Sequence, residues 1–160
     1  MIRSKKVRAF EIFSLFAAAG ILLLAASFSI HANTDPWAPN QTVQPSVLAK
    51  ELENPKTAPT VLFVGFGRLY SAGHIKGAQY HGTTSKEDGL KEFTTWAATL
   101  PRSANIVIYC GCCPMERCPN VRPAFKALQY LGFKQVRVLI LPNDFATDWA
   151  EKGLPYDKGN

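Results

Sequence analysis

The stretch NIVIYCGCCPMERCPNVRPAFKALQYLG, residues 105–132, decides the fold of this 160-residue chain. Its first five residues, 105–109, are dominated by apolar, β-branched side chains, which predicts a strand buried on both faces. Residues 121–131 have helical periodicity, and Gly132 is well placed to end that helix. All four cysteines of the chain lie between the two elements. The stretch therefore predicts a strand–loop–helix unit with a cysteine cluster at the carboxyl end of the strand.

The segments on either side repeat this alternation of strands and helices. Apolar runs at 60–66 and 135–141 predict two more buried strands, and all three strands are expected to lie adjacent to the site. An amphipathic pattern follows Ser85 and predicts a helix between the first two strands. Strands alternating with helices predict an α/β fold with three layers, in which a mostly parallel central sheet is flanked by helices.

The N-terminal 32 residues differ in composition from the rest of the chain. Four basic residues precede an apolar run at 12–30, and small residues follow it near Ala32. This pattern is typical of a signal peptide, so we expect an exported, periplasmic or otherwise extracytoplasmic protein. The alternative is an uncleaved membrane anchor, in which case the chain contacts a membrane. Residues 33–45 are polar and Pro-containing and are interpreted as a linker, and residues 46–160 as one domain.

The charge of the chain argues against nucleic-acid binding. The formal net charge is +6 for the whole sequence, but the leader contributes four basic residues and one acidic residue, so only +3 remains beyond residue 32. No stripe of basic residues with interleaved aromatic side chains is present. We expect no nucleic-acid partner and a monomeric domain.

The position of the cysteines suggests thiolate chemistry. In open α/β sheets, ligands bind at the carboxyl ends of the strands. The free N–H groups at the start of a helix favour an anion, so a cysteine there is expected to have a depressed pKa and to be a good nucleophile. Cys110 directly follows the strand and is the predicted nucleophile, with a depressed pKa. Cys118, nearest the helix, is its main rival, and Cys112, Cys113 and Cys118 are candidate resolving or alternative nucleophiles.

Three stretches resemble the rhodanese-like domain family. These are SAGHIKGA at 71–78, IVIYC at 106–110 and LPNDFATDWAEKGLPY at 141–156. The resemblance implies a rhodanese-like fold and a sulfurtransferase, in which Cys110 carries sulfane sulfur as a persulfide from a small sulfur-containing donor to a thiol or other nucleophilic acceptor. It also implies an anion-binding active-site loop with Arg117 contacting the donor, formed by Gly111, Pro114, Met115, Glu116 and Arg117.

Two features depart from the pattern of that family. Many members carry Asp-x-Arg on the first strand, where this chain has Phe63, Val64 and Gly65. The common active loop has a Cys-x4-Arg spacing, but here six residues separate Cys110 from Arg117. The substrate range of the family therefore does not transfer directly to this chain.

The cysteine cluster is also compatible with two other functions. Cys110 and Cys113 form a Cys-x-x-Cys pair on a strand-to-helix turn, as in a periplasmic thiol–disulfide oxidoreductase. Four thiolates suffice in number for tetrahedral zinc. However, adjacent Cys112 and Cys113 cannot easily reach one ion together with both other cysteines. A non-catalytic sulfur- or metal-binding module thus stays an alternative, and the favoured expectation is no metal and no cofactor.

Overall fold

A computed structural model describes residues 35–159, and the predicted leader at 1–32 lies outside them. Five strands form a wholly parallel sheet in the order β1-β6-β5-β2-β4. A separate two-stranded antiparallel sheet consists of β3 and β7. The strands are β1 (Thr42–Val43), β2 (Thr60–Phe63), β3 (His74–Ile75), β4 (Gln79–Tyr80), β5 (Asn105–Tyr109), β6 (Gln135–Leu139) and β7 (Tyr156–Asp157).

Strand β5 lies in the centre of the main sheet. Its residue Ile108 pairs with Leu62 on one side and with Val138 on the other. The strand at 105–109 is therefore central, as predicted, and the prediction of a mostly parallel sheet is confirmed. Because parallel neighbours need crossover connections, helices run between successive strands.

The helices and helical turns account for most of these connections. The α-helices are α1 (Pro45–Leu52), α2 (Gly67–Ala72), α3 (Glu87–Ala97) and α4 (Val121–Tyr130). Two 3-10 turns span Pro39–Gln41 and Met115–Arg117, and a π-helical turn spans Ala146–Ala150. Within residues 35–159, no helix combines the length and the apolarity needed to cross a membrane.

The two faces of the sheet support separate hydrophobic clusters. Ile106 and Ile108 belong to the cluster that contains Phe93 of α3 and Phe125 of α4. Val107 and Tyr109 belong to the cluster on the other face, together with residues of α1 and the π-helical turn. This alternation follows from the two-residue period of a strand, and it confirms the predicted three layers.

The segment predicted as a linker is partly built into the domain. Trp37 is only 9% exposed, and its ring meets that of Phe125 edge-on at a centroid distance of 5.5 Å. Thr42–Val43 form the edge strand β1 beside β6. A two-residue strand is too short to produce a periodic pattern, and one indole does not change a polar composition, so the sequence did not predict either contact. The compact unit begins at Asp35 rather than at residue 46.

Candidate functional site

Cys110 lies at the carboxyl end of the central strand. It is 1% exposed, and its side chain belongs to the cluster of Ile106 and Ile108, on the α3 and α4 face. Gly111 follows with a φ of +68°, in the left-handed region that favours glycine. A Cβ on Gly111 would lie 2.6 Å from Cβ of Phe145, so no larger residue fits there. The chain can therefore turn sharply as soon as it has delivered Cys110.

The structure brings the four predicted cysteines together, and all four are free. The sulfur atoms of Cys110 and Cys112 are 3.1 Å apart, and those of Cys112 and Cys113 are 3.2 Å apart. The sulfur atoms of Cys110, Cys112 and Cys118 all lie within 4.8 Å of one another. We refer to Cys110, Cys112 and Cys118 as the thiol triad. The Cys113 thiol contacts Cys112 and also interacts with Cys118, but it is not one of the three mutually close sulfur atoms.

Asn120 connects the triad to the segment that contains Thr84 and Ser85. Its amide Nδ2 donates a hydrogen bond to the sulfur of Cys110 at 3.2 Å, and its Oδ1 accepts one from the N–H of Ser85 at 3.1 Å. Its backbone carbonyl accepts a hydrogen bond from the Thr84 hydroxyl at 2.6 Å. Asn120 is completely buried. Sequence reasoning missed this residue, although an asparagine immediately before a helix is a usable signal for a capping or loop-fixing role.

The pKa values of the two buried thiols are shifted in opposite directions. A hydrogen bond from the Cys110 thiol, together with backbone N–H groups of Asn120 and Val121, lowers the pKa of Cys118 to about 6. Val121 is the first residue of α4, so these donors belong to the helix start. Donating that hydrogen bond, and burial, raise the pKa of Cys110. Burial raises the pKa of Cys113 to about 12.

The depressed pKa expected of Cys110 is therefore found on Cys118 instead. The reason is the path of the loop, which leaves Cys110 behind at the strand and brings Cys118 beside the first N–H groups of the helix. At Cys110, the hydrogen-bond donors are the Asn120 amide and the backbone N–H of Cys112. The pKa values of Cys110 and Cys118 are consequently shifted in opposite directions although both residues are buried.

The remaining predicted loop residues have different surroundings. Pro114 and Met115 are half-buried, and Met115 packs against the hydrophobic cluster of the α3 and α4 face. Glu116 and Arg117 are exposed, and the backbone N–H of Arg117 donates to the carbonyl of Pro114 at 2.9 Å. The predicted contact of Arg117 with an anionic donor stays a prediction.

Arg122 fixes the shape of the loop from the helix side. Its Nη1 donates to the carbonyls of Met115 at 3.3 Å and Cys118 at 3.1 Å. Its Nη2 pairs with Asp35 at 2.5 Å, and its guanidinium lies 5.6 Å from the ring centroid of Trp37. The N-terminal segment of the domain is thereby connected to the cysteine loop. The sequence left the role of Arg122 open.

Gly65 gives the sulfur of Cys110 the room it needs. A Cβ on Gly65 would lie 2.8 Å from Sγ of Cys110 and 2.8 Å from the Phe63 ring. Real Cβ atoms essentially never approach other atoms so closely. Gly65 lies in the segment where the resemblance implies Asp-x-Arg, so the departure seen in the sequence coincides with a close approach of this segment to Cys110.

A cavity of about 400 Å³ adjoins Cys110, Gly111 and Cys112. Its other walls are mainly apolar and include Phe63 and Phe145, while Asp144 and Lys158 are its charged members. A larger groove, of about 770 Å³, lies between α3 and α4 and contains none of the cysteines. The smaller cavity is the better candidate for a substrate site because two of the triad thiols border it.

A scan of the sequence against protein-family models gives no match, and a search of curated proteins gives none either. Solved structures do match. The rhodanese-like domain of the Alr3790 protein from Anabaena sp. is 24% identical, with a TM-score of 0.54, covering 74% of this chain and 79% of that one. The fold is rhodanese-like. This confirms, at the level of fold, the resemblance carried by the three sequence stretches.

Two further structures have the same fold. The thiosulfate sulfurtransferase from Pseudomonas aeruginosa is 24% identical, with a TM-score of 0.54; the match covers 79% of this chain but only 20% of that longer one. A full-length protein from Lactobacillus plantarum is 17% identical, with a TM-score of 0.55, and the match covers 74% of this chain and 88% of that one.

The rhodanese-like fold brings the three stretches together around β5. The Tyr109 hydroxyl accepts a hydrogen bond from the N–H of Ile75 at 2.8 Å, which connects the first stretch to the second. The N–H of Phe145 donates to the carbonyl of Gly111 at 3.1 Å, which connects the third stretch to the cysteine loop. Strand β7 pairs with β3 and closes the arrangement. The three stretches that carry the sequence resemblance are therefore in contact with one another in the structure.

Proposed function

We propose that this protein is a sulfurtransferase that carries sulfane sulfur as a persulfide on Cys110. The observation that carries the proposal is the position of Cys110, at the carboxyl end of the central strand of a rhodanese-like sheet and on the wall of a cavity. The similarity in fold to the Pseudomonas aeruginosa thiosulfate sulfurtransferase supports it. Cys118 does not border that cavity, which favours Cys110 as the thiol that meets the donor.

In the first step, the Cys110 thiol passes its proton to Cys118, to which it is already hydrogen-bonded, as its sulfur forms the new bond, so that no free Cys110 thiolate precedes the attack. The Cys110 sulfur attacks the outer sulfur of the donor. A new S–S bond forms at Cys110, and the bond between that outer sulfur and the rest of the donor breaks. With thiosulfate as donor, sulfite leaves with the bonding electron pair. Cys110 then holds one additional sulfur atom as a persulfide.

In the second step, a thiolate acceptor attacks the outer sulfur of the persulfide. The acceptor gains that sulfur, and Cys110 leaves as a thiolate that takes back the proton held by Cys118. The Asn120 amide and the backbone N–H of Cys112 donate to the Cys110 sulfur, and they stabilise the negative charge it carries as nucleophile and as leaving group. No net oxidation or reduction of the protein occurs.

Mass spectrometry of the intact, reduced protein after incubation with thiosulfate or a polysulfide tests this proposal. We expect a mass increase of one sulfur atom, located on Cys110 by peptide mapping. Cys110→Ser should abolish the increase, whereas Cys113→Ser, which leaves the thiol triad intact, should retain it. Sulfur uptake by Cys110→Ser at the normal rate would show that another cysteine is the nucleophile.

Thiol–disulfide exchange is the second candidate function. The observation in its favour is the 3.1 Å distance between the sulfur atoms of Cys110 and Cys112. This pair differs from the Cys110/Cys113 pair predicted from sequence, because the turn at Gly111 places Cys112 beside Cys110. A chain that cycles between dithiol and disulfide with a partner thiol, and takes up no sulfur from thiosulfate, would favour this function over sulfur transfer.

The proposed cellular setting is extracytoplasmic, as the sequence of the leader indicates. In an oxidising compartment, neighbouring thiols form disulfides, so the sulfurtransferase would depend on a reductant that keeps Cys110 free. N-terminal sequencing of the mature protein checks the setting. A chain beginning near Asn33 supports a cleaved signal peptide, and retention of Met1 supports an anchor.

A further inference from the structure

The thiol triad has a property that sulfur transfer does not require. One nucleophilic thiol and one proton acceptor suffice for the proposed steps, yet three sulfur atoms lie within 4.8 Å of one another. An ion bonded to three sulfurs at about 2.3 Å holds those sulfurs about 4 Å apart. The triad therefore approaches the geometry of a three-coordinate site before any ion binds.

We propose that Cys110, Cys112 and Cys118 form a trigonal all-sulfur site for monovalent copper. Thiolates are soft ligands that favour Cu(I) over harder ions. Zinc in proteins almost always takes four ligands, and among residues 35–159 the cluster brings together three. Cys113 is adjacent to Cys112 in the chain and is not part of the triad. A site made of the triad therefore does not require the adjacent residues Cys112 and Cys113 to bind the same ion.

The surroundings of the triad suit bound thiolates. The Asn120 amide donates to the sulfur of Cys110 at 3.2 Å, and the backbone N–H groups of Asn120 and Val121 donate to the sulfur of Cys118. Such donors orient the ligands of a metal and stabilise their charge. Cys110 and Cys118 are buried in an apolar cluster, which keeps water from the ion.

Cys112 supplies the route by which the ion enters. It is half-buried and borders the 400 Å³ cavity together with Cys110. Copper passes from a carrier to the triad by ligand exchange: each cysteine that still holds a proton releases it on binding, the S–Cu bonds form as the bonds to the carrier break, and no electron is transferred. Because the ion occupies Cys110, it competes with sulfur loading. The copper site does not depend on the proposed sulfurtransferase activity.

Titration of the reduced full-length chain with Cu(I) against a bicinchoninate competitor tests the site. We expect one copper per chain and an X-ray absorption spectrum with three sulfur neighbours. Cys112→Ser should weaken binding by more than about tenfold, since even the loss of an indirect partner costs 10–100-fold in affinity. Cys113→Ser is the matched control, because it removes a neighbouring, half-buried thiol and leaves the triad intact.

Four results would overturn the copper site: equal weakening by Cys112→Ser and Cys113→Ser, several copper ions per chain, nitrogen or oxygen neighbours in the spectrum, or tighter binding of zinc than of Cu(I) in a four-coordinate site. The spectrum and the stoichiometry are measured on the natural sequence, so they decide the question even if a variant fails to fold. Sulfur loading is measured separately. A chain that binds copper but takes up no sulfur would refute the proposed function alone.

Discussion

Tyr109 and Cys110 are consecutive residues, both almost completely buried, and they lie on opposite faces of the same sheet. On the tyrosine face, the phenol accepts a hydrogen bond from Ile75, and its ring packs edge-on against Phe63 at 5.3 Å. On the cysteine face, the neighbouring polar atoms are sulfur atoms and the Asn120 amide.

The contrast shows how one strand can perform two tasks. Aromatic rings and a backbone donor give the tyrosine face directional contacts that fix the GHIKGA connection in place. The cysteine face has thiols whose protons and charges can be redistributed. The packed aromatic rings of the tyrosine face hold β5 in place, and a reactive group needs such a rigid support. Substitutions on the two faces should therefore affect different measurements, stability on one and sulfur chemistry on the other.

Gly65→Ala should have the largest effect on the cysteine face. The new methyl group would lie 2.8 Å from Sγ of Cys110, so the sulfur must move. We expect sulfur loading to slow by more than tenfold, and the free energy of unfolding to fall by about 1–3 kcal/mol, as is typical of overpacking. Thiosulfate loading followed by mass spectrometry, and urea denaturation, measure the two effects.

Gly67→Ala is the control for this substitution. Its Cβ would meet the ring of Tyr80 at 3.2 Å, on the aromatic side of the molecule, and neither glycine has a positive φ. Sulfur loading should be nearly unchanged in this variant. If both alanine variants slow loading equally, the room around Cys110 is not the reason for glycine at position 65.

Tyr109→Phe should lower stability without changing the chemistry. The substitution removes the buried acceptor of the Ile75 N–H and leaves that donor unpaired, which costs about 1–3 kcal/mol. Urea denaturation should show a lower midpoint with an unchanged slope, while the rate of sulfur loading per folded molecule stays the same. A change in loading rate comparable with that of Gly65→Ala would show that the two faces are not independent.

The parts of this arrangement that the sequence predicted are those with a local signal. The run at 105–109 is apolar because both faces of the strand are buried, so it predicts a strand whichever elements cover those faces. The same holds for β2 and β6. The loop after Cys110 is different, because its path depends on contacts with distant residues. The hydrogen bond from the Ser85 N–H to Asn120 and the salt bridge between Arg122 and Asp35 both join segments that are far apart in sequence.

This dependence explains why the depressed pKa was expected on Cys110 rather than on Cys118. Cys110 and Cys118 both lie between a strand and a helix, and no local pattern shows which of them reaches the N–H groups of Asn120 and Val121. The close approach of Gly65 to Cys110 is also invisible along the chain, since it arises from the pairing of β2 with β5. Trp37 was assigned to a linker because its partner Phe125 is almost ninety positions away.

Arg117→Ala should have a smaller effect, confined to the donor. If Arg117 contacts the anionic end of thiosulfate, its loss should raise the donor's KM by up to about fivefold, equivalent to about 1 kcal/mol for an exposed ion pair. Reactivity toward neutral iodoacetamide should not change. Lys158→Ala is the matched comparison, because Lys158 is a cation that borders the cavity whereas Arg117 is not among the residues that line it. Equal effects of Arg117→Ala on thiosulfate and iodoacetamide would show that this residue only supports the loop.

The smallest effect is expected from Glu51→Gln, on the tyrosine side of the sheet. Glu51 of α1 forms a bidentate pair with Arg137 of β6, with N–O distances of 2.8 and 2.7 Å. The hydrogen bond from Arg137 lowers the pKa of Glu51 below its ordinary value. Both side chains are partly exposed, so the pair contributes less than about 1 kcal/mol.

The pH dependence of this pair has a definite sign. A carboxyl group whose pKa is lowered by folding contributes stability above its unfolded pKa, and that contribution is lost as the pH falls through the folded value. Urea denaturation should therefore show wild type slightly more stable than Glu51→Gln at pH 7, with the difference vanishing in acid once Glu51 is protonated. A difference that persists or grows in acid would show that the negative charge of Glu51 is not what holds α1 against β6. Sulfur loading by the variant should equal that of wild type at pH 7, because the pair is on the face opposite the thiol triad.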